Sequence, residues 1–333
     1  MSKLHSPLKK LAILTGLVFL VLIPFLPISG FILHLVSLIL LWTMICLSLN
    51  IIFGYAGQLS LAHGGLFGIG AYMYGILAVK LKLSFWLAFP LGGLTAGLVG
   101  LLIGMPSLRL KGAYFVIITL GFNIILVSII EHLNELTGGV VGLVGIPAPS
   151  KLNLFFFNLD FTSKASQYYL ILFFLVIFWM IMYLIRNSLF GRSLISIKED
   201  EVLCQSLGID TMKTKVGTFV LSSLLAGLSG VLYASYMGIL TPQDASFHVG
   251  FDALVFLTVG GIGTIIGTIL GPALMIIISE LMQSMVEVRL LVNGLALILL
   301  IIFMPQGIVG GTAYLWKRYQ TKFNKGIESG QRA

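Results

Sequence analysis

Long apolar runs, parted by short polar breaks, fill most of this 333-residue chain. A bilayer-crossing helix needs roughly 20 mainly apolar residues. Runs near that length occupy about 11–28, 31–53, 65–79, 84–104, 113–130 and 167–185. Further runs at 216–239, 252–282 and 290–304 follow a strongly polar interruption. The run 252–282 is long for one span and is broken by Gly260-Gly261-Ile262-Gly263-Thr264. It reads as two short helices, which either cross twice or form a re-entrant pair. The first run follows Lys3, Lys9 and Lys10 and has no small-residue cleavage site, so it reads as a retained span rather than a signal peptide. The pattern predicts an all-α, polytopic membrane helical bundle of about 8–10 spans.

The interruption at 186–215 carries Arg186, Arg192, Lys198, Glu199, Asp200, Glu201, Asp210, Lys213 and Lys215. A segment this polar cannot sit in hydrocarbon. It nevertheless has the marks of an ordered helix. Ser193 is the expected N-cap, and Gly208 stands where a C-terminal glycine belongs. Leu194, Ile197, Cys204 and Leu207 recur on one helical face. The run Lys198, Glu199, Asp200 and Glu201 is then a charged ridge on a capped amphipathic helix, although such a run alone usually marks only a solvated face.

Composition agrees with a membrane protein: 58% hydrophobic, 10% charged and a mean hydropathy of +1.06, against about 25% charged in ordinary soluble domains. The net charge of +8 reads as loop lysines and arginines, not as a nucleic-acid surface. With the N-terminus inside and each early span crossing, the polar interruption falls inside. Of the 20 lysines and arginines, only Lys80, Lys82, Lys151, Lys164 and Arg289 then lie outside. That is the expected positive-inside bias. The implied plan is a cytoplasmic N-terminus at 1–10, N-terminal membrane helices over 11–185 and a cytoplasmic element at 186–215. C-terminal membrane helices follow over 216–304, then a basic cytoplasmic tail over 305–333. The loop 131–166, with Phe155-Phe156-Phe157, is the sizeable external segment. It is either a connector or a docking surface.

Candidate chemistry is sparse. The five histidines show no ligand spacing, so no metal site is expected, and no nucleophile–base pattern stands out. Catalytic residues are therefore not assigned. Glu131, Asp252 and Glu280 fall near predicted span ends, which argues against ion-coupled carriage but leaves a passive channel or carrier for a small neutral solute open. Candidate solute-pathway residues are Gln58, Ser60, His63 and Asn123, with Gly260, Gly261 and Gly263. His63 is as readily a structural hydrogen-bonder, and Asn50 and Asn123 bridges between helices. The glycine break is either a backbone site for solute or a packing corner. Pro106 and Pro272 fit helix starts.

The segment GRSLISIKEDEVLCQSLGID resembles the cytoplasmic coupling loop of ABC importer permeases, those of branched-chain amino acid transporters (LivM type) in particular. The shared elements are Gly191-Arg192, Lys198-Glu199-Asp200-Glu201 and Leu207-Gly208-Ile209. SLNIIFGYAGQLSLAHGGLFGIGAYMYGILA (48–78), LRLKGAYFVIITLGF (108–122), LAGLSGVLYASYMGILTPQDASF (225–247) and VGGIGTIIGTILGP (259–272) resemble further family segments in the same order. Val140-Val141 depart from the polar residues common there. The resemblance implies a multi-pass permease of the bacterial inner membrane. Its implied partners are a second, related permease, two cytosolic ABC ATPases and an external solute-binding protein. This chain would bind no cofactor, because it has no Gly-Lys-Ser/Thr; ATP and Mg would be used by the ATPases. The residues implied for ATPase coupling are Gly191, Arg192, Leu194, Ile197, Lys198, Glu199, Asp200, Glu201, Leu207 and Gly208, with Leu194 and Ile197 packing on the ATPase. The implied solute is a branched-chain or other apolar amino acid; urea, short amides or nucleosides are the alternatives.

Overall fold

The computed structural model describes residues 15–16, 18–25, 27, 29–154, 157–281 and 307–311, the side chains of 152–159 excepted. Of the expected span 11–28, residues 11–14, 17, 26 and 28 lie outside the described residues, as do the whole of the span 290–304, the tail apart from 307–311, and the side chains of the aromatic patch at 155–157.

Among the described residues, the apolar runs are helical. They are α1 (Gly30–Leu49), α2 (His63–Val79), α3 (Phe85–Ser107), α4 (Ala113–His132) and α5 (Lys164–Asn187). Then come α6 (Leu189–Glu199), α7 (Glu201–Ser206), α8 (Thr211–Met237), α9 (Phe247–Gly260) and α10 (Gly267–Leu281). A π-helical turn, Asn50–Tyr55, continues α1. Five of these helices are long and apolar enough to cross a membrane, and α2, α9 and α10 are shorter apolar helices. The expected run 252–282 is thus two helices, divided at 261–266. Two proline expectations fail. Pro106 lies in the last turn of α3 and Pro272 in the second turn of α10. Pro272 there removes one internal N–H···O bond instead of starting the helix.

Helix α8 is the centre of the bundle, packed on α3 and α2. Glycine lets these backbones approach. A Cβ on Gly70 would strike Gly227 of α8, one on Gly230 would strike the Phe67 carbonyl of α2, and one on Gly100 would strike Ser223. Between membrane helices, where water exclusion drives nothing, such close contact supplies the packing energy.

The bundle has two distinguishable ends. At one, the π turn, the α3–α4 turn (108–112), α6–α7 and the α9–α10 corner are joined by side chains. At the other, the strand Leu143–Val144 pairs antiparallel with Ile239–Leu240. Tyr74 Oη also donates to the Pro147 carbonyl (2.8 Å) and Trp86 Nε1 to that of Ser150 (3.2 Å). The part of the loop from Leu143 to Ser150 is therefore held against the bundle.

Two chain segments enter the bundle interior between the α-helices, the second with a short 3-10 turn at Pro242–Ala245. Residues 56–62 rise from the first end to the start of α2. Residues 238–246 descend from the second end to the start of α9. The two starts meet: a Cβ on Gly64 would strike the Ser246 carbonyl, and one on Gly250 would stand 3.0 Å from the Gly64 nitrogen.

Candidate functional site

The polar interruption forms two helices, not the one expected. Ser188, not Ser193, is the N-cap of α6: its hydroxyl accepts from Gly191 N at 3.1 Å. Ser193 lies inside α6, its hydroxyl donating to the Leu189 carbonyl. The shift has a steric cause. The chain folds back sharply after α5, and a Cβ on Gly191 would collide with the Ile185 carbonyl. Asp200 adopts extended geometry, ends α6 and caps α7, accepting from Leu203 N at 2.9 Å. Gly208 takes φ +82° just past α7, the expected left-handed exit.

The apolar face divides. Leu194, Ile197 and Cys204 are buried against this chain's own bundle, whereas Leu207 is 72% exposed. Leu194 and Ile197 therefore cannot pack on a partner, which corrects the expectation above. The most exposed apolar side chains here are Leu189, Val202, Leu203 and Leu207, flanked by the exposed Arg192, Glu199 and Asp200. The charged ridge divides too. Lys198 Nζ reaches back to the Gly54 carbonyl of the π turn, 2.9 Å away. Glu201 accepts from Lys215 Nζ at 2.6 Å and pairs with Lys111 Nζ at 3.4 Å. Its side chain is 19% exposed and that of Lys215 3%. Burial opposes the Glu201 charge, yet the hydrogen bond and charge of Lys215, with Lys111, outweigh it and hold the carboxyl below its ordinary pKa.

Beneath this element lies a cavity of about 460 Å³, lined among others by Gln58, Leu59, Lys111, Ile197, Lys198 and Glu201. It joins the polar helices to the segment 56–62. Gly57 at φ +70° turns the chain there, beside the Lys198 stem. Above it, Ser60 accepts from Ala62 N and Thr119 of α4 from Leu61 N. Asn123 Nδ2 donates to the Leu61 carbonyl at 3.4 Å. His63 Nε2 lies 2.7 Å from Ser222 Oγ, which in turn donates to the Ser48 carbonyl at 2.6 Å. One hydroxyl carries one proton, so Nε2–H of His63 is the donor in that contact. Gln58, Ser60, His63 and Asn123 are thus brought together at the start of α2.

Gly260, Gly261 and Gly263 lie elsewhere, at the α9–α10 corner. A Cβ on Gly260 would strike the Gly267 carbonyl, and Gly261 and Gly263 have φ of +123° and +76°. Asn50 Oδ1 accepts from Gly263 N (2.8 Å) and its Nδ2 donates to the Thr264 carbonyl (3.2 Å). The π turn is therefore tied to α6 through Lys198 and to this corner through Asn50. Lys111, Lys215 and Ser222 were not legible as site residues; only the tertiary fold brings them to Glu201 and His63. Asp252 also departs from expectation. It sits in the second turn of α9, exposed, at the depth of Cys46 in α1, whose thiol contacts the Ala253 carbonyl.

A family model described as "Branched-chain amino acid transport system / permease component" matches residues 31–304. The chain is 32% identical to the Escherichia coli (strain K12) high-affinity branched-chain amino acid transport system permease protein LivM, over 98% of this chain and 79% of the relative. It is 26% identical to the LivH permease protein of the same organism, over 81% of this chain and 91% of the relative. A probable LivM of Methanocaldococcus jannaschii is 25% identical over 83% of this chain and 93% of its own length. No solved structure matches the chain. With apolar helices enough for a multi-pass membrane protein, and with relatives that are transport permeases, the chain belongs to the LivM-type permease family of branched-chain amino acid transport systems.

Proposed function

We propose that this chain is the membrane-spanning subunit of an ATP-driven importer, moving branched-chain or other apolar amino acids inward by alternating access. The similarity to LivM over nearly the whole chain carries this reading. Two cytosolic ABC ATPases seat on α6 and α7 and use ATP and Mg themselves. A related, LivH-like permease pairs with this one, a reading supported by the resemblance to both proteins of one organism. An external binding protein delivers solute at the opposite end. The termini and α6–α7 are cytoplasmic, in a bacterial inner membrane. Arg109, Lys111, Arg186, Arg192, Lys198, Lys213 and Lys215 all gather at the α6–α7 end of the chain, which supports that orientation.

The contacts suggest how motion passes inward. A push on the outward apolar face of α6 and α7 moves a body hinged at Gly191. Lys198 carries the displacement to the π turn, and Asn50 carries it to the α9–α10 corner. Such a linkage biases two global states, as alternating access requires. The decisive experiment reconstitutes the full transporter in liposomes. Leucine uptake should need ATP, both ATPases and the loaded binding protein. Uptake through this chain without ATPases would overturn the importer in favour of a passive carrier. ATP-driven uptake of urea or nucleosides but not leucine would reassign the solute.

A further inference from the structure

Polar side chains exposed at mid-depth of a membrane bundle need a wet or protein surround, because lipid offers them no hydrogen-bond partner. Three lie together: Gln243 in the turn before α9, His248 in its first turn and Asp252 one turn later, all exposed. His248 and Asp252 are four residues apart and share a helix face. Their depth is fixed by α1. Cys46 Sγ lies 3.5 Å from the Ala253 carbonyl, and the Trp42 and Phe256 rings are 5.0 Å apart between centroids. Trp42 and Cys46 stand in the interior of the 26-residue apolar run Gly30–Tyr55. Helix α4 packs against the same turn and against α9 and bears outward apolar side chains such as Ile124 and Ile125.

The nearby carboxylate Asp244 is occupied: its oxygens accept from Tyr233 Oη (3.0 Å) and from Thr241 N and Oγ1 (2.8 Å each). Asp252 is the carboxylate exposed at this depth among the described residues. It also has an interaction within the chain, so an entering cation shares or displaces that contact. Just behind it the starts of α2 and α9 meet, where the fully buried His63 Nδ1 and Asn123 Oδ1 have no partner. Partly polar, unpaired surroundings of this kind suit a small zwitterion better than lipid.

We propose that this face lines the solute path and that Asp252 receives the ammonium group of the amino acid in transit, with His248 as a second contact. The proposal rests on the importer reading above and names where its solute is recognised within the membrane. A neutral amino acid carries a fixed positive charge on nitrogen, and an exposed carboxylate at mid-depth is the complementary group.

The test uses the complete reconstituted transporter. Asp252→Asn should raise the KM for leucine about tenfold or more, an effect on ground-state binding, while Asp252→Glu should recover most of it. In both variants the assembled complex is verified by size-exclusion chromatography. Independently, His248→Cys on a Cys46→Ser, Cys204→Ser background is exposed to a membrane-impermeant trimethylammonium methanethiosulfonate. It should react in one nucleotide state and resist in the other, whereas Ile125→Cys should resist in both. A wild-type KM in Asp252→Asn overturns the ammonium contact. A His248→Cys that is inert in every state overturns the path and marks the patch as sealed against the partner permease. Because the labelling needs no knowledge of the solute, state-dependent reaction without leucine uptake would keep the path while removing the amino-acid reading.

Discussion

Glu201 joins three elements through one carboxylate. It holds the start of α8 through Lys215, the α3–α4 turn through Lys111 and its own helix by position. Breaking a mostly buried pair leaves an uncompensated ammonium on Lys215. Glu201→Gln is therefore expected to destabilise the protein by about 3 kcal/mol, read as a lower unfolding midpoint in detergent. Its depressed pKa gives the sign of the pH dependence. The pair contributes fully above the ordinary glutamate pKa of about 4.3. The contribution is lost as pH falls through the lower folded-state value. From that range to neutral pH the contribution of this pair should stay unchanged, and in Glu201→Gln the acid-side loss of stability should shrink.

At the scale of elements, the α6–α7 pair separates anchoring from presentation. Lys198 and Glu201 are spent on this chain's own backbone and lysines and Asp200 on the cap of α7, while Glu199 is exposed. Glu199→Lys should thus uncouple ATP hydrolysis from uptake with stability unchanged, measured as ATPase rate against leucine flux. Glu201→Lys should instead fail to assemble, because it sets three lysines together. Equal, mild effects of both would show the division to be false. The elbow depends on Gly191. Gly191→Ala forces a methyl group against the Ile185 carbonyl, a strain of about 2 kcal/mol that displaces α6 and lowers coupled transport. Ser188→Ala should cost about 1 kcal/mol through the lost cap, whereas Ser193→Ala should be nearly neutral.

On the whole-molecule scale, two interrupted crossings meet in the bundle interior. Residues 56–62 with α2 approach from one end and residues 238–246 with α9 from the other. Each brings a helix start to the same level, and Gly64 and Gly250 permit the contact. Breaks in α-helical backbone at membrane depth are tolerated only inside protein or beside water, so this junction is where a path belongs. The assigned sidedness is directly checkable. Ser206 is exposed at the end of α7 and both native cysteines are buried. Ser206→Cys on a Cys204→Ser background should be labelled by an impermeant reagent only from the cytoplasmic side. Labelling from the external side in intact cells would invert the topology.

Hydropathy and punctuation alone determined the helical membrane class, the positions of the described apolar helices within a few residues, a glycine break inside 252–282 and the existence of an ordered polar element at 186–215. Those features follow from local composition: apolar length, glycine and short-range periodicity act within a few turns of chain. The division of that element at Asp200, and the inward turn of Leu194 and Ile197, were decided by tertiary contacts. So were the pairing of Glu201 with Lys215 and Lys111 and the mid-depth setting of Asp252. Periodicity showed that an apolar face existed but not which body it would cover. An Asp near the start of a hydropathy run looks interfacial until the preceding segment, 238–246, is seen to carry the chain down into the bundle first. Contacts between residues 144 positions apart, such as Lys198 with Gly54, depend on how the helices assemble, and nothing in the local chain encodes them.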